Sequence, residues 1–151
     1  MSKVMASQWT VWLHRKDDAS WGEESYHRIC DLSTPDEFWP KFNGVAHFVG
    51  DAQFFIFRKG VGPRYEDPAN QLGGCISLKL DRRQVVGVLE EVLCKALEEV
   101  LVPGNTGVSV APKGKHFIVK IWLASCVFNM ADVRLNASLK ALARFSKHVC
   151  A

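Results

Sequence analysis

Tyr65 and Glu66 stand side by side in the segment Gly60-Val61-Gly62-Pro63-Arg64-Tyr65-Glu66-Asp67-Pro68-Ala69-Asn70-Gln71-Leu72-Gly73-Gly74, whose glycines and prolines mark a loop. An aromatic face attracts a delocalised positive charge. An ionised carboxylate has only acceptors, so it pairs with a ligand edge that carries N–H donors. The pair suits a flat, cationic, hydrogen-bonding ring. Guanine methylated at N7 has both properties, because its ring is positive and its Watson–Crick edge presents two adjacent donors that one carboxylate accepts together. Composition alone also accommodates Tyr65 as a turn residue packing on its neighbours and Glu66 as a solvated loop acid. Asp67 and Asn70 read as turn-forming residues that bond to nearby backbone.

A flat ring needs a second wall. Trp21 follows the polar stretch Lys16-Asp17-Asp18-Ala19-Ser20, a poor place to bury a large apolar ring for stability alone. It is therefore a candidate stacking residue, the alternative being a tryptophan that anchors its loop. Trp122 closes the alternating run His116–Leu123. With Phe117, Val119, Ile121 and Leu123 on a covered face, His116, Ile118, Lys120 and Trp122 fall on the open one. Trp122 then either touches a ligand or covers sheet surface. Lys120 points to the same side, and Lys113 and Lys115 sit on the preceding turn, where mobile ammonium groups can meet phosphates.

These residues must be carried by strands and helices. Alternation places strands at 8–14 and 26–32, with Trp9 toward the core and Trp12 on the sheet face. Thr34, Pro35 and Glu37 read as N-cap, first helical residue and capping-box acid, so a helix starts there, with a kink expected at Pro40. Strands at 52–58 and 74–80 flank the Gly/Pro-rich loop. From Asp81 the period becomes helical through Val85, Val88, Leu89, Val92, Leu93, Ala96, Leu97 and Val100, and Pro103-Gly104-Asn105 is expected to end that helix. Strands at 106–112 and 116–123 follow, joined by a turn at Pro112-Lys113-Gly114-Lys115. A last helix is expected from Asn129 to about His148. The pattern implies an α+β fold in which an antiparallel sheet carries its helices on one face and leaves the other free to bind.

The 151 residues, 48% of them hydrophobic, fit a single domain with a real core, taken as 1–151. No apolar run is long enough to span a bilayer and no signal peptide is visible, so no membrane association is expected. Five cysteines without a Cys-x-x-Cys pair suggest neither a disulfide framework nor a zinc site, and point to a reducing cytoplasm, with the nucleus as a second compartment. A net charge of +3 does not announce general nucleic-acid binding. The five histidines are dispersed and no Ser or Cys occupies a nucleophile turn, so no catalytic residue, metal or cofactor is expected.

The tryptophans occur in Trp9-Thr10-Val11-Trp12-Leu13, Ala19-Ser20-Trp21, Thr34-Pro35-Asp36-Glu37-Phe38-Trp39 and Val119-Lys120-Ile121-Trp122. In this order and spacing the chain resembles the cap-binding translation initiation factor 4E family over roughly residues 8 to 145. The resemblance implies a curved antiparallel sheet with three helices on its convex face and a messenger RNA cap site on the concave face. It implies a sandwich of the 7-methylguanine base between Trp21 and Tyr65, with Glu66 reading the guanine edge and Trp122 at the methyl group. Lys113, Lys115 and Lys120, placed by parity and turn position, are then the candidates for the phosphates, the alternative being that the turn lysines are only solvated. Departures are visible. Tyr65 stands where the family more often has tryptophan, Ala111 near the place of a phosphate-gripping arginine, and Cys75-Ile76 where an Arg-Trp pair is usual. The family continues past its third helix with further strands, whereas this sequence stops at Ala151.

The same resemblance implies a partner surface on the helical side. Trp39, with Leu89, Glu90 and Leu93, forms a patch there for a helical peptide of the Tyr-x-x-x-x-Leu-hydrophobic type. The patch would serve a scaffold of the initiation factor 4G type or a competing binding protein. Pro35 replaces an aliphatic residue at this surface, and helical periodicity alone makes Leu89 and Leu93 ordinary core. The expected function is non-enzymatic binding of capped messenger RNA with recruitment of that scaffold. Alternatives are a translation-regulating adaptor with weak cap affinity, and a nucleotide-processing enzyme using Glu66 or Asp67, which the missing metal cluster and nucleophile disfavour.

Overall fold

In the computed structural model, residues 8–33, 37, 40 and 52–148 are described. Seven strands form one antiparallel sheet: β1 (Trp9–Arg15), β2 (Tyr26–Leu32), β3 (Ala52–Arg58), β4 (Gly74–Leu80), β5 (Asn105–Lys113), β6 (His116–Leu123) and β7 (Arg144–Lys147). Their order across the curved sheet is β2-β1-β3-β5-β6-β4-β7. The helices among the described residues are α1 (Arg82–Leu97) and α2 (Ala137–Leu142), with single 3-10 turns at Glu23–Ser25 and Met130–Asp132.

Strand β3 carries the continuous apolar run Phe54-Phe55-Ile56-Phe57 because both of its faces are covered there. Phe54 and Ile56 join the main core under the helices, while Phe55 and Phe57 join a smaller aromatic cluster with Cys75 and Trp122 on the opposite face. The parity expected for β6 holds: Phe117, Val119, Ile121 and Leu123 lie in the helix-side core, and Trp122 lies on the other face. Trp9 is buried in the main core and Trp12 packs beside the aromatic cluster.

Helix α1 begins with a full capping box in which Asp81 accepts from Arg83 and Gln84 backbone N–H groups and Gln84 reaches back to Asp81. It buries Val85, Leu89, Val92, Leu93, Ala96 and Leu97, each of the large ones contributing about 2 kcal/mol. The helix stops at Leu97, earlier than Pro103-Gly104 suggests. The Glu99 N–H bonds to the Ala96 carbonyl at 3.0 Å and the Val100 N–H to the Lys95 carbonyl at 2.9 Å, with Glu99 at φ +63°. This is a Schellman ending, and it leaves Val100 half-exposed. A glutamate in a position usually held by glycine carries no sequence signal. Here it is held by an ion pair with Arg58 at 2.6 Å.

The expected long last helix is also corrected. Asn129 caps only the 3-10 turn, Asn136 caps the six-residue α2, and the chain then becomes β7, paired to the edge of β4 from Gly74↔Lys147 to Ser77↔Arg144. A second asparagine cap and an unpaired sheet edge divide what periodicity reads as one helix. The chain thus has a strand beyond its last helix. The helix expected from Thr34 lies largely outside the described residues, as do Pro35 and Trp39. Glu37 and Pro40 are helical, and the Glu37 carboxylate accepts from the Ser33 N–H at 3.0 Å, one residue earlier than the expected cap.

Candidate ligand cleft on the face opposite the helices

The 60–73 loop is shaped by the two residues read as turn formers. Asp67 accepts from the Gly62 N–H at 2.8 Å and the Ala69 N–H at 2.9 Å. Asn70 is fully buried, donates to the Gly62 and Arg64 carbonyls, and accepts from Thr106 Oγ1 at 2.7 Å, tying the loop to β5. With their neighbours occupied inward, Tyr65 and Glu66 face outward. Arg64 forms an ion pair with Glu66, Nη2 to Oε2 at 2.7 Å.

Trp21 reaches the same cleft from the β1–β2 loop. His14 lies behind it, with ring centroids 3.9 Å apart and planes 5° from parallel. Tyr26 packs edge-on against Phe55 at 5.4 Å. Burial, and then the charge of Glu66, push the Tyr26 phenol up to about 12, so it stays a neutral hydrogen-bonding group. The floor comes from β5, β6 and β4. Gly107 lacks the Cβ that would strike the Phe57 ring, and Phe57 in turn meets Trp122 edge-on at 5.0 Å. The Trp122 indole N–H donates to Ser109 Oγ at 3.0 Å, and Asn105 Nδ2 donates to the Trp122 carbonyl at 2.9 Å.

The result is a cleft of about 440 Å³ lined by Trp21, Tyr65, Glu66, Lys120 and Trp122, with Ala111 and Cys75 at the positions noted as departures. Five expected residues therefore meet at one place. Trp21 and Tyr65 are each about half exposed, at 51% and 54%, while Trp122 is 5% exposed. Lys113 and Lys115 do not line the cleft. Both are exposed at the tip of the β5–β6 hairpin, where Gly114 at φ +62° makes the turn. Leu89 and Leu93 are buried under the sheet, at 3% and 1%, so they are core and cannot complete an exposed patch. Glu90 on the same helix is exposed.

Sequence reasoning missed the contribution of β7. Ser146, Lys147 and His148 line the cleft. The His148 ring stacks on Tyr65 at 5.9 Å and 18°, lies 4.7 Å from the Trp122 ring, and places Nε2 3.6 Å from Cys75 Sγ. Burial, and next the charge of Lys120, hold His148 below the usual histidine range. Burial pushes the Cys75 thiol up to about 12, which keeps it protonated and inert as a nucleophile. Only the pairing of β7 with β4 brings 146–148 here, and a reading of that stretch as helix hides it. Among the described residues no group of three or more His, Cys, Asp or Glu could hold a metal, and no helix is long and apolar enough to cross a membrane.

Residues 4–149 match the model of the family described as Eukaryotic initiation factor 4E. The chain belongs to that family. It is 27% identical over 143 residues to eukaryotic translation initiation factor 4E-1 of Zea mays, covering 89% of this chain and 65% of that relative, so it spans a little under two thirds of the relative's length. Among solved structures, the 4E-family chain resembles Ascaris suum eIF4E-3 in complex with m7G cap, with a TM-score of 0.82, 19% identity, and coverage of 100% of this chain and 94% of that one. It also resembles C. elegans eIF4E-3 in complex with the 4E-binding protein Mextli, with a TM-score of 0.82, 18% identity, and coverage of 98% and 94%. At these identities the structural likeness speaks to the fold: a curved antiparallel sheet with helices on one face.

Proposed function

We propose that this 4E-family chain binds the 7-methylguanosine cap of messenger RNA in the cleft, without catalysing a reaction. The observation that carries this reading is the convergence of Trp21, Tyr65 and Glu66 on one open cleft. Two half-exposed aromatic rings supply faces for a cationic base, and Glu66 supplies the acceptor for its N–H edge. Lys120 and Lys147 place positive charge in the cleft for the phosphates. Family membership and the m7G cap in the Ascaris suum complex support the same ligand. A base that uses the face of Tyr65 now covered by His148 has to displace that imidazole.

Titration of tryptophan fluorescence with 7-methylguanosine triphosphate and with GTP tests the reading. Cation–π attraction contributes about 2 kcal/mol when desolvated, so the methylated nucleotide should bind at least several-fold more tightly. Equal affinities would remove the ring sandwich as an explanation.

The helical side is the proposed surface for a scaffold of the initiation factor 4G type or a competing binding protein, acting in the cytoplasm. The Mextli complex of the C. elegans relative supports a protein partner of this kind. Trp39 and Pro35 remain the residues assigned to it, with exposed Glu90 beside them in the assignment. Unchanged capture of a Tyr-x-x-x-x-Leu peptide by Trp39→Ala would place the partner elsewhere. A second reading, a translation-regulating adaptor with weak cap affinity, is favoured by one specific observation: Ala111, Cys75 and the seated His148 occupy cleft positions where stronger ligand contacts would otherwise be available.

A further inference from the structure

Trp21 is held from behind by a residue outside the cleft lining. His14 is completely buried, its ring lies nearly parallel to the indole with centroids 3.9 Å apart, and its Nε2–H donates to the Ser20 carbonyl at 2.7 Å. One side chain thus fixes both the ring of residue 21 and the backbone immediately before it. Beyond Trp21 the loop is tied down by the buried Ser25, whose Oγ donates to the Gly22 carbonyl at 2.6 Å, and Tyr26 meets the Trp21 ring obliquely at 6.3 Å. Two further bonds are exposed. The Ser20 N–H bonds to Asp18 Oδ1 at 2.9 Å and the Gly22 N–H to Ser20 Oγ at 3.2 Å, and neither involves the Trp21 ring.

Packing alone does not call for an imidazole at this place. Nδ1 of His14 is buried without a hydrogen-bond partner among the described residues, and a buried polar atom left unpaired is unfavourable beside a phenyl ring of similar shape. What the imidazole adds is the bond to Ser20. What the ring adds is a cover for one face of Trp21. The indole remains half exposed and lines the cleft.

We propose that His14 is a positioning residue for the stacking site: it blocks one face of Trp21, aims the other into the cleft, and pre-pays the ordering of the loop that carries it. The proposal rests on the cleft being a base-binding site, and its physical content is preorganisation, in which a wall already fixed loses less freedom on binding.

The test uses the full chain with His14→Leu, which removes ring and donor, and His14→Phe, which keeps the ring and removes the donor. Each is also made in a Trp21→Phe background. Acrylamide quenching of tryptophan fluorescence without ligand reads the loop directly. Quenching attributable to Trp21 should increase in His14→Leu, and the increase should vanish in the Trp21→Phe background. Affinity for 7-methylguanosine triphosphate should fall about tenfold in His14→Leu and about threefold in His14→Phe, the scale of one aromatic pair and one hydrogen bond. A folded His14→Leu with unchanged quenching and unchanged affinity overturns the proposal. Should His14→Leu fail to fold, His14→Phe decides, and wild-type quenching with wild-type affinity overturns it there. If the unmutated chain binds no methylated nucleotide, the cap reading fails, while the ligand-free quenching still reports on the hold of His14 over Trp21.

Discussion

Glu66 and Asp67 are adjacent carboxylates with opposite tasks. Asp67 spends both oxygens on the backbone N–H groups of Gly62 and Ala69, whereas Glu66 faces the cleft and pairs with Arg64. Asp67→Ala should lower unfolding stability by about 2 kcal/mol, the scale of charge-assisted bonds lost from a half-buried turn. Glu66→Ala should leave the melting temperature nearly unchanged and weaken guanine binding by about tenfold or more, since a two-point, charge-assisted contact disappears. Denaturation curves and calorimetry on the two variants separate the roles. Loss of guanine selectivity in a folded Asp67→Ala, with Glu66→Ala unaffected, would reverse the assignment.

At the scale of elements, the floor and the rim of the cleft depend on different strands. Gly107 on β5 admits the Phe57 ring, which supports Trp122. Gly107→Ala should therefore destabilise the fold by about 1–3 kcal/mol through overpacking and perturb Trp122 emission. The rim strand β7 seats His148 between Tyr65 and Trp122, facing cationic Lys120 and Lys147, the protonated Cys75 thiol and, across the same cleft, Glu66. The seated ring resists protonation through burial and then Lys120. Seating is therefore complete above the ordinary histidine value of about 6.5 and weakens as pH falls through it toward the lowered value. Proton NMR between about pH 7.5 and about pH 5.5 should show the His148 ring signals losing their aromatic shielding on acidification. Lys120→Gln removes one of the two causes and should raise the His148 titration midpoint. A seated ring unmoved over that range would sink this account.

Over the whole molecule, the formal charge of +3 is modest, so position matters more than total. Lys120 and Lys147 line the cleft, while Lys113 and Lys115 are exposed at the hairpin tip and outside the lining. The gain in affinity from a mononucleotide to a triphosphate cap analogue should fall mainly in a Lys120→Gln/Lys147→Gln variant, and much less in Lys113→Gln/Lys115→Gln. Contacts of these mobile ammonium groups are screened over about 10 Å at 0.1 M salt, so the first variant should also flatten the salt dependence measured by fluorescence titration. The reverse ranking of the two variants would return the phosphate grip to the hairpin.

Strand alternation and loop composition were sufficient to place six of the strands, the start of α1, and Trp21, Tyr65, Glu66, Lys120 and Trp122 on the cleft side, because period and turn chemistry are local properties written in consecutive residues. The turn roles of Asp67 and Asn70 were legible for the same reason. The end of α1 was not, since Glu99 adopts a glycine-like conformation with Arg58 of a distant strand beside it. Nor was β7: Arg144–Lys147 becomes a strand because the edge of β4 offers it partners from 67 to 73 residues away. Leu89 and Leu93 are core as their helical spacing suggests, whereas tertiary structure alone decided that His148 sits on Tyr65 and that His14 backs Trp21. Each depends on which surfaces the folded sheet leaves uncovered, and the period of a strand does not say which distant strand it pairs with.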